Sequence, residues 1–253
     1  MLEVRNLSKR FGGLQAVNSL NFKINRGEIV SIIGPNGSGK STVFNLITGF
    51  HKPTCGQIIA LGEDITGLKP YNITAKGIAR TFQHTTIFFQ NTVQDNLIIG
   101  HRLRKKVGIF GAILRNPKTK REEKECVDKA NDMALLIGLY EKRFMLANAT
   151  TQEEQKRLAI GLALMTSPNL LLLDEPMGGV TDKEMKPLVD VIKKINAQGI
   201  TIGLVEHRMS FVMRISNRVV VLDHGQKIAE GVPSEVSRDK NVIEAYLGKG
   251  SHA

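Results

Sequence analysis

No apolar run in this sequence approaches the roughly 18 uninterrupted residues that a membrane-spanning helix needs. Apolar runs such as residues 170–173 and 219–222 suit buried strands instead. Cysteine is scarce: Cys55 and Cys126 stand far apart, which argues against a disulfide, and two thiols make no metal site. The opening Met1-Leu2-Glu3-Val4 lacks a basic segment followed by an apolar one, so no secretory leader is read and a cytosolic chain is expected. Internal repeats and low-complexity tracts are also missing, which excludes a solenoid. Acidic residues fall short of basic ones, 24 against 35, for a formal net charge of +11. That excess fits either an anionic partner (nucleotide, nucleic acid or the anionic inner leaflet) or a solvated basic surface. The densest basic stretches, 102–106 and 115–124, lack the interleaved aromatics that stack bases, so no nucleic-acid partner is expected.

What is present is a chain of 253 residues, 42% apolar, long enough for one large domain or a domain with a smaller lobe. Short apolar runs alternate with helix-like stretches, the pattern of an α/β protein with a mainly parallel core. Residues 27–34 read as a buried strand entering a glycine-rich turn, followed by a helix from about Lys40 to Thr48 that Gly49 ends. Further buried strands are expected at 170–174, 200–206 and 219–223, the last turning at His224-Gly225 into Lys227-Ile228-Ala229. From about Asp95 to Met165 the composition shifts to Lys, Glu, Leu and Ala. Val127, Ala130, Ala134 and Ile137 recur there at helical spacing. The expected organisation is one domain, with a core lobe at about 1–90 and 167–253 and an inserted helical lobe at about 91–166. Residues 249–253 read as a frayed tail.

The strongest motif is Gly34-Pro35-Asn36-Gly37-Ser38-Gly39-Lys40-Ser41-Thr42, which fits G-x-x-x-x-G-K-[ST] between an expected strand and an expected helix. Glycines let the backbone curl until successive N–H groups point at phosphate oxygens, and the helix N-terminus adds its partial positive charge. Lys40 supplies a full charge to the β- and γ-phosphates, and Ser41 offers a hydroxyl to Mg²⁺. By chance the bare pattern would arise in roughly one chain of this length in a hundred. Downstream, Leu170-Leu171-Leu172-Leu173-Asp174-Glu175-Pro176 is an apolar strand ending in two acids. Alone these would be ordinary strand-end carboxylates. Beside a phosphate loop, Asp174 is placed to bind Mg²⁺, directly or through water, and Glu175 to orient or deprotonate an attacking water.

With their surroundings, these motifs make the chain resemble an ABC-type ATP-binding subunit over essentially its whole length. The resemblance implies a P-loop (RecA-like) cassette with an inserted helical subdomain and an N-terminal antiparallel β region, using ATP and Mg²⁺. Arg80-Thr81-Phe82-Gln83 resembles the Q-loop, whose glutamine approaches metal and attacking water and senses the membrane subunit. Val205-Glu206-His207 resembles the switch segment, whose imidazole contacts the γ-phosphate, and Phe11 matches the aromatic that stacks on adenine. The sequence after the P-loop (Val43-Phe44-Asn45, Thr48-Gly49-Phe50) is similar to the branched-chain amino acid transporter branch. So are Arg80-Thr81-Phe82-Gln83-His84, an insertion at 108–117, and Ala245-Tyr246-Leu247-Gly248. That branch implies a peripheral subunit on the cytoplasmic face of the membrane, beneath permease subunits. It would be paired with a second ABC ATPase, usually a related but different chain, and served indirectly by a substrate-binding protein. Thr86, Phe88 and Phe89 lie where the family holds a short helix of the membrane subunit, and at least one of the two phenylalanines is expected to be exposed.

One motif departs from the family. Thr150-Thr151-Gln152-Glu153-Glu154 stands where the cassette signature resembles Leu-Ser-Gly-Gly-Gln. Thr151 keeps a hydroxyl where a serine contacts the γ-phosphate held by the opposite cassette, but Glu153 replaces a glycine. A carboxylate there is expected to face and repel the triphosphate, leaving one ATP site slow and the other, built on Lys40, Asp174 and Glu175, hydrolytic. Thr181 also replaces an acid often found at its position. A soluble ABC protein of translation or DNA repair would carry two cassettes or a long coiled coil. A small-molecule kinase would not account for Gln83 and His207.

Overall fold

The computed structural model describes residues 1–82, 87–102 and 117–247, and for 102, 117–122 and 247 the backbone alone. Gln83, His84 and Thr86, the insertion over 108–116, Gly248 and the 249–253 tail therefore lie outside the described residues.

The chain opens with two long antiparallel strands, β1 (Leu2–Phe11) and β2 (Leu14–Ile24), and a buried third, β3 (Ile29–Ile33), that runs into the phosphate-loop sequence and α1 (Lys40–Ile47). The strands β4 (Cys55–Ala60) and β5 (Glu63–Asp64) precede α2 (Pro70–Ala75) and the short β6 (Ile78–Arg80). Three helices follow, α3 (Val93–Arg102), α4 (Pro117–Leu136) and α5 (Gln152–Leu164). The chain then alternates β7 (Leu170–Asp174), α6 (Met185–Ala197), β8 (Thr201–Val205), α7 (Met209–Ile215) and β9 (Arg218–Asp223). It closes with β10 (Gln226–Gly231), α8 (Pro233–Val236) and α9 (Lys240–Leu247).

The strands form a six-stranded sheet, β10-β9-β3-β8-β7-β6, and a four-stranded antiparallel sheet, β2-β1-β4-β5. The larger sheet is parallel apart from β10, and its central strands β3, β8 and β7 are buried along their whole length, as strands covered on both faces are. The period-2 alternation of each strand assigns its residues to opposite layers. In β7, Leu170 and Leu172 pack with Val4, Phe22 and Phe44 between the two sheets, while Leu171 and Leu173 pack with Leu97, Ala134, Leu158 and Ile192 on the other face. Helices α3 to α6 thus share one apolar cluster under β7 and β8, and α1 is enclosed between the two sheets.

The expected buried strands at 170–174, 200–206 and 219–223 form within a residue or two of those bounds, and the expected helix forms as α1 with Gly49 just beyond it at φ 75°. The His224-Gly225 turn has positive φ at both residues, 44° and 77°, as a tight primed hairpin turn demands. Ala130, Ala134 and Ile137 are buried at the expected helical spacing, but Val127 is exposed: α4 lies along the lobe surface, and Val127 falls outside its inward stripe.

Candidate functional site

The phosphate loop owes its shape to two places where no side chain fits. A Cβ on Gly34, at φ 148°, would stand 2.0 Å from the Leu222 carbonyl oxygen, and one on Gly39, at φ 101°, would stand 2.5 Å from that of Ala16. Backbone from β9 and β2 therefore wraps the loop closely enough to hold its curl. Within the curl Lys40 is buried, and its Nζ donates to the carbonyl oxygens of Gly34 and Pro35, both at 2.8 Å. Burial lowers the Lys40 pKa below the ordinary lysine value, while the nearby Glu175 carboxylate pulls it back up.

A cleft of about 420 Å³ opens beside the loop. It is lined by Asn36, Gly37, Gly39, Lys40, Ser41 and Thr42, and also by Glu175 and Phe11. Phe11, at the end of β1, is 40% exposed and stands edge-on to His51, with ring centroids 5.1 Å apart. It therefore offers an aromatic face at the cleft wall. Glu175 takes a left-handed backbone, φ 45°, immediately after β7, and its N–H is held by the Val205 carbonyl at 3.0 Å. Asp174, one residue earlier, is buried, and its Oδ2 accepts from Arg80 Nη2 at 2.6 Å. The chain leaves the strand at Glu175 with this left-handed turn, so Glu175 lines the cleft while Asp174 stays buried beside Arg80.

His207 lies two residues beyond Val205, the register partner of Asp174, and its side chain is about half exposed. Thr151 does not line this cleft. It is the N-cap of α5: its Oγ1 accepts from Glu154 N–H, and the Glu154 carboxylate returns a bond to Thr151 N–H at 3.0 Å, a closed capping box.

The expected repulsive carboxylate at Glu153 is corrected. Glu153 is buried and bound through both oxygens by Arg157, at 2.7 and 2.9 Å. One helical turn separates the two residues, so the acid points back along α5 into the lobe, and its charge meets a guanidinium. What lost glycine leaves at the signature is side-chain bulk, and Gln152 supplies part of it: a Cβ on Gly179 would stand 2.5 Å from Gln152 Oε1.

Of the two groups expected to hold a magnesium ion, the Ser41 hydroxyl lines the cleft, whereas the Asp174 carboxylate does not line it and is paired with Arg80. Among the described residues no group of three or more His, Cys, Asp or Glu could hold a metal by itself. Hard oxygen donors in this number fit Mg²⁺, which keeps waters and phosphate oxygens in its shell and needs only one or two protein ligands.

Comparison with known proteins settles the family. The ABC transporter profile matches residues 17–178, and that of the branched-chain amino acid ATP-binding cassette transporter matches 226–252. The chain belongs to the ABC transporter family of ATP-binding cassettes. It is 41% identical over 250 residues to the high-affinity branched-chain amino acid transport ATP-binding protein LivG of Escherichia coli (strain K12), covering 98% of each chain. The solved ADP conformation of MJ1267, an ATP-binding cassette of an ABC transporter, superposes with a TM-score of 0.85 at 32% identity, covering 98% of both chains. A dimeric bacterial ABC transporter cassette, MJ0796, superposes at 0.76 with 25% identity, over 92% of this chain and 99% of the other.

Three residues that motif reading passed over stand at the centre of this cassette. Arg80, the first residue of the Q-loop motif, bonds Asp174 and also donates to Asn45 on α1 and to Thr48 at its C-cap, at 2.7 and 3.0 Å. Lys156 lies on α5, two residues beyond Glu154. Burial lowers its pKa against the pull of Glu175, Glu206 and Asp174, so α5 brings a cation among the carboxylates of its own chain. Glu206, beside the switch histidine, is fully buried. A charged residue inside an apolar strand end was the available signal.

Proposed function

We propose that this cassette is the ATP-hydrolysing subunit of a membrane importer for branched-chain amino acids or similar apolar solutes. It works on the cytoplasmic face of the membrane beneath permease subunits. The observation that carries this is one cleft lined by Lys40, Ser41 and Glu175, residues brought together from α1 and the end of β7. The names of its relatives support the solute class.

In this reading the loop from Gly34 to Thr42 grips the triphosphate through its backbone N–H groups and Lys40. Ser41 and Asp174 hold Mg²⁺, which would neutralise charge developing on the phosphates. Gln83 is assigned by family resemblance to the same metal and the attacking water. Glu175 orients or deprotonates that water, His207 contacts the γ-phosphate, and Phe11 stacks on adenine. Core lobe (about 1–90 and 167–253) and helical lobe (about 91–166) form one functional cassette.

The cassette pairs head-to-tail with a second ABC ATPase, so that Thr151 at the N-terminus of α5 serves the partner's nucleotide; the dimeric relative supports such pairing. Thr151 Oγ1 accepts within the capping box, and its hydroxyl proton is left to donate. Gln152 and Glu153 replace the glycines that allow close backbone approach, so the site they complete turns over slowly. The test is turnover of the assembled transporter with Glu175→Gln, set against the equivalent change in the partner cassette. General-base loss costs about 10²- to 10⁴-fold. A larger loss from Glu175→Gln is expected, and equal losses would refute the asymmetry.

Docking to the permease is assigned to an exposed apolar patch. Phe88 and Phe89 are 48% and 43% exposed, and backbone bonds from Ala147 to Asn91 and from Asn148 to Phe89 bring Leu146 and its exposed neighbours Met145 and Phe144 alongside. Serine at Phe88 or Phe89 is expected to release the cassette from the membrane subunits while leaving its nucleotide affinity unchanged. Intact assembly and transport would refute the docking role.

A further inference from the structure

Glu206 is the acid next to the switch histidine, and it is fully buried. A carboxylate is costly to enclose unless donors meet both of its oxygens, and here they come from two different segments of the chain. On one side, the Met177 N–H donates to Oε2 at 3.1 Å. On the other, Oε1 accepts from the N–H groups of His207 at 2.9 Å and Arg208 at 3.3 Å, and the His207 Nδ1 lies 3.4 Å away. Glu206 thereby bridges the loop leaving β7, which begins with Glu175, to the segment leaving β8, which carries His207.

Two further contacts join the same segments. The Arg208 guanidinium donates to the Val180 carbonyl at 2.6 Å, and the Glu175 N–H donates to the Val205 carbonyl at 3.0 Å. Glu175 sits in a left-handed backbone conformation that non-glycine residues adopt only when their surroundings enforce it. The ties on either side of it supply that enforcement.

We propose that Glu206 is a positioning residue for ATP hydrolysis: its carboxylate locks the backbone of His207 to the loop that follows Glu175, so that both keep one relative placement over the nucleotide. The proposal rests on the assignment of Glu175 and His207 under Proposed function, and it predicts an effect on turnover without one on binding, because the Glu206 carboxylate bonds Met177, His207 and Arg208 and no residue of the phosphate loop among those described.

The test uses the assembled transporter. In Glu206→Gln one acceptor becomes an NH₂ group, so in either orientation one segment faces donor against donor. Affinity for a fluorescent ATP analogue should stay within about twofold, while kcat, expressed per bound nucleotide, falls about 10- to 100-fold, the usual effect of a small misplacement. In a His207→Ala background the same change should lower kcat by less than about threefold, because the bridge then has little left to place. A merely structural role would lower kcat by the same factor in both backgrounds, and that result, or an unchanged kcat in the single variant, overturns the proposal. His207→Ala that leaves turnover intact would instead sink the switch-histidine reading, and the bridge with it. Hydrogen exchange on the unaltered protein keeps the test open should the glutamine variant not fold. The Met177 and His207 amides should show protection factors within about tenfold of each other, as one opening unit, and unrelated protection overturns the proposal.

Discussion

Arg80 and Asp174 form a buried ion pair across neighbouring parallel strands, with Nη2 2.6 Å from Oδ2 and each side chain only 7% exposed. The guanidinium also lies over the rings of Phe44, Phe50 and Phe82, at 5.3 to 6.0 Å from their centroids, and donates to α1. The proposed metal acid, the phosphate-loop helix and the entry to the Q-loop therefore share one cation.

Removing that cation leaves a buried carboxylate unpaired. Arg80→Met should destabilise the cassette by about 3–5 kcal/mol, the usual cost of breaking a buried pair. Urea unfolding checks this. The double variant Arg80→Met/Asp174→Asn should lose less than the sum of the single losses, and strict additivity would contradict the coupling.

Restoring a glycine at the signature should not restore speed. Glu153→Gly strips Arg157 of its bidentate partner, leaving the guanidinium the carbonyls of Ile137 and Gly138 and a looser 4.0 Å ion pair with Glu154. A stability loss of about 3 kcal/mol or more is expected, with no gain in ATP turnover. Faster turnover in that variant would show that the side chain at 153 does limit the site it completes.

Lys40→Met should weaken nucleotide binding by about 1.5–3 kcal/mol, or roughly 10- to 150-fold, the range for a lost charged hydrogen bond. Titration with an ATP analogue measures it. The fold should survive, because the Lys40 hydrogen bonds to Gly34, Pro35 and Ser38 stay within its own loop.

Acid sensitivity has an identifiable contributor in Glu28. Burial pushes its carboxyl up, but the bonds from Arg218 and the Asn25 N–H outweigh that and hold it below the ordinary value of 4.5. The unfolded chain therefore binds the proton first, so this contribution is complete above about pH 4.5 and lost as pH falls through the lower folded pKa. Between pH 6 and 3, the urea midpoint of Glu28→Gln should fall less steeply than that of the unaltered protein. Parallel slopes would remove Glu28 from the account.

The parts of the site readable in advance were those set by neighbours in sequence. The turn from Gly34 to Thr42 needs its glycines at fixed offsets, and β7 announced itself as four leucines before an acid, because strand burial and loop curvature are local properties. The Glu153–Arg157 pair was also within reach, since an acid four residues before an arginine on a helix is a direct signal; family expectation pointed the acid outward instead. Arg80 with Asp174, and Glu206 with Met177, were out of reach. Those partners lie 94 and 29 residues apart, and nothing in either segment names the other.

By itself, then, the sequence determined the glycine turn around Lys40, the strand that ends in Asp174, and the alternation that turns successive residues to opposite layers. Only the tertiary structure decided which charges neutralise which. That depends on strand order β8-β7-β6 and on how closely α1 and α5 approach it, and such distances are set by packing of the whole core, not by any one segment.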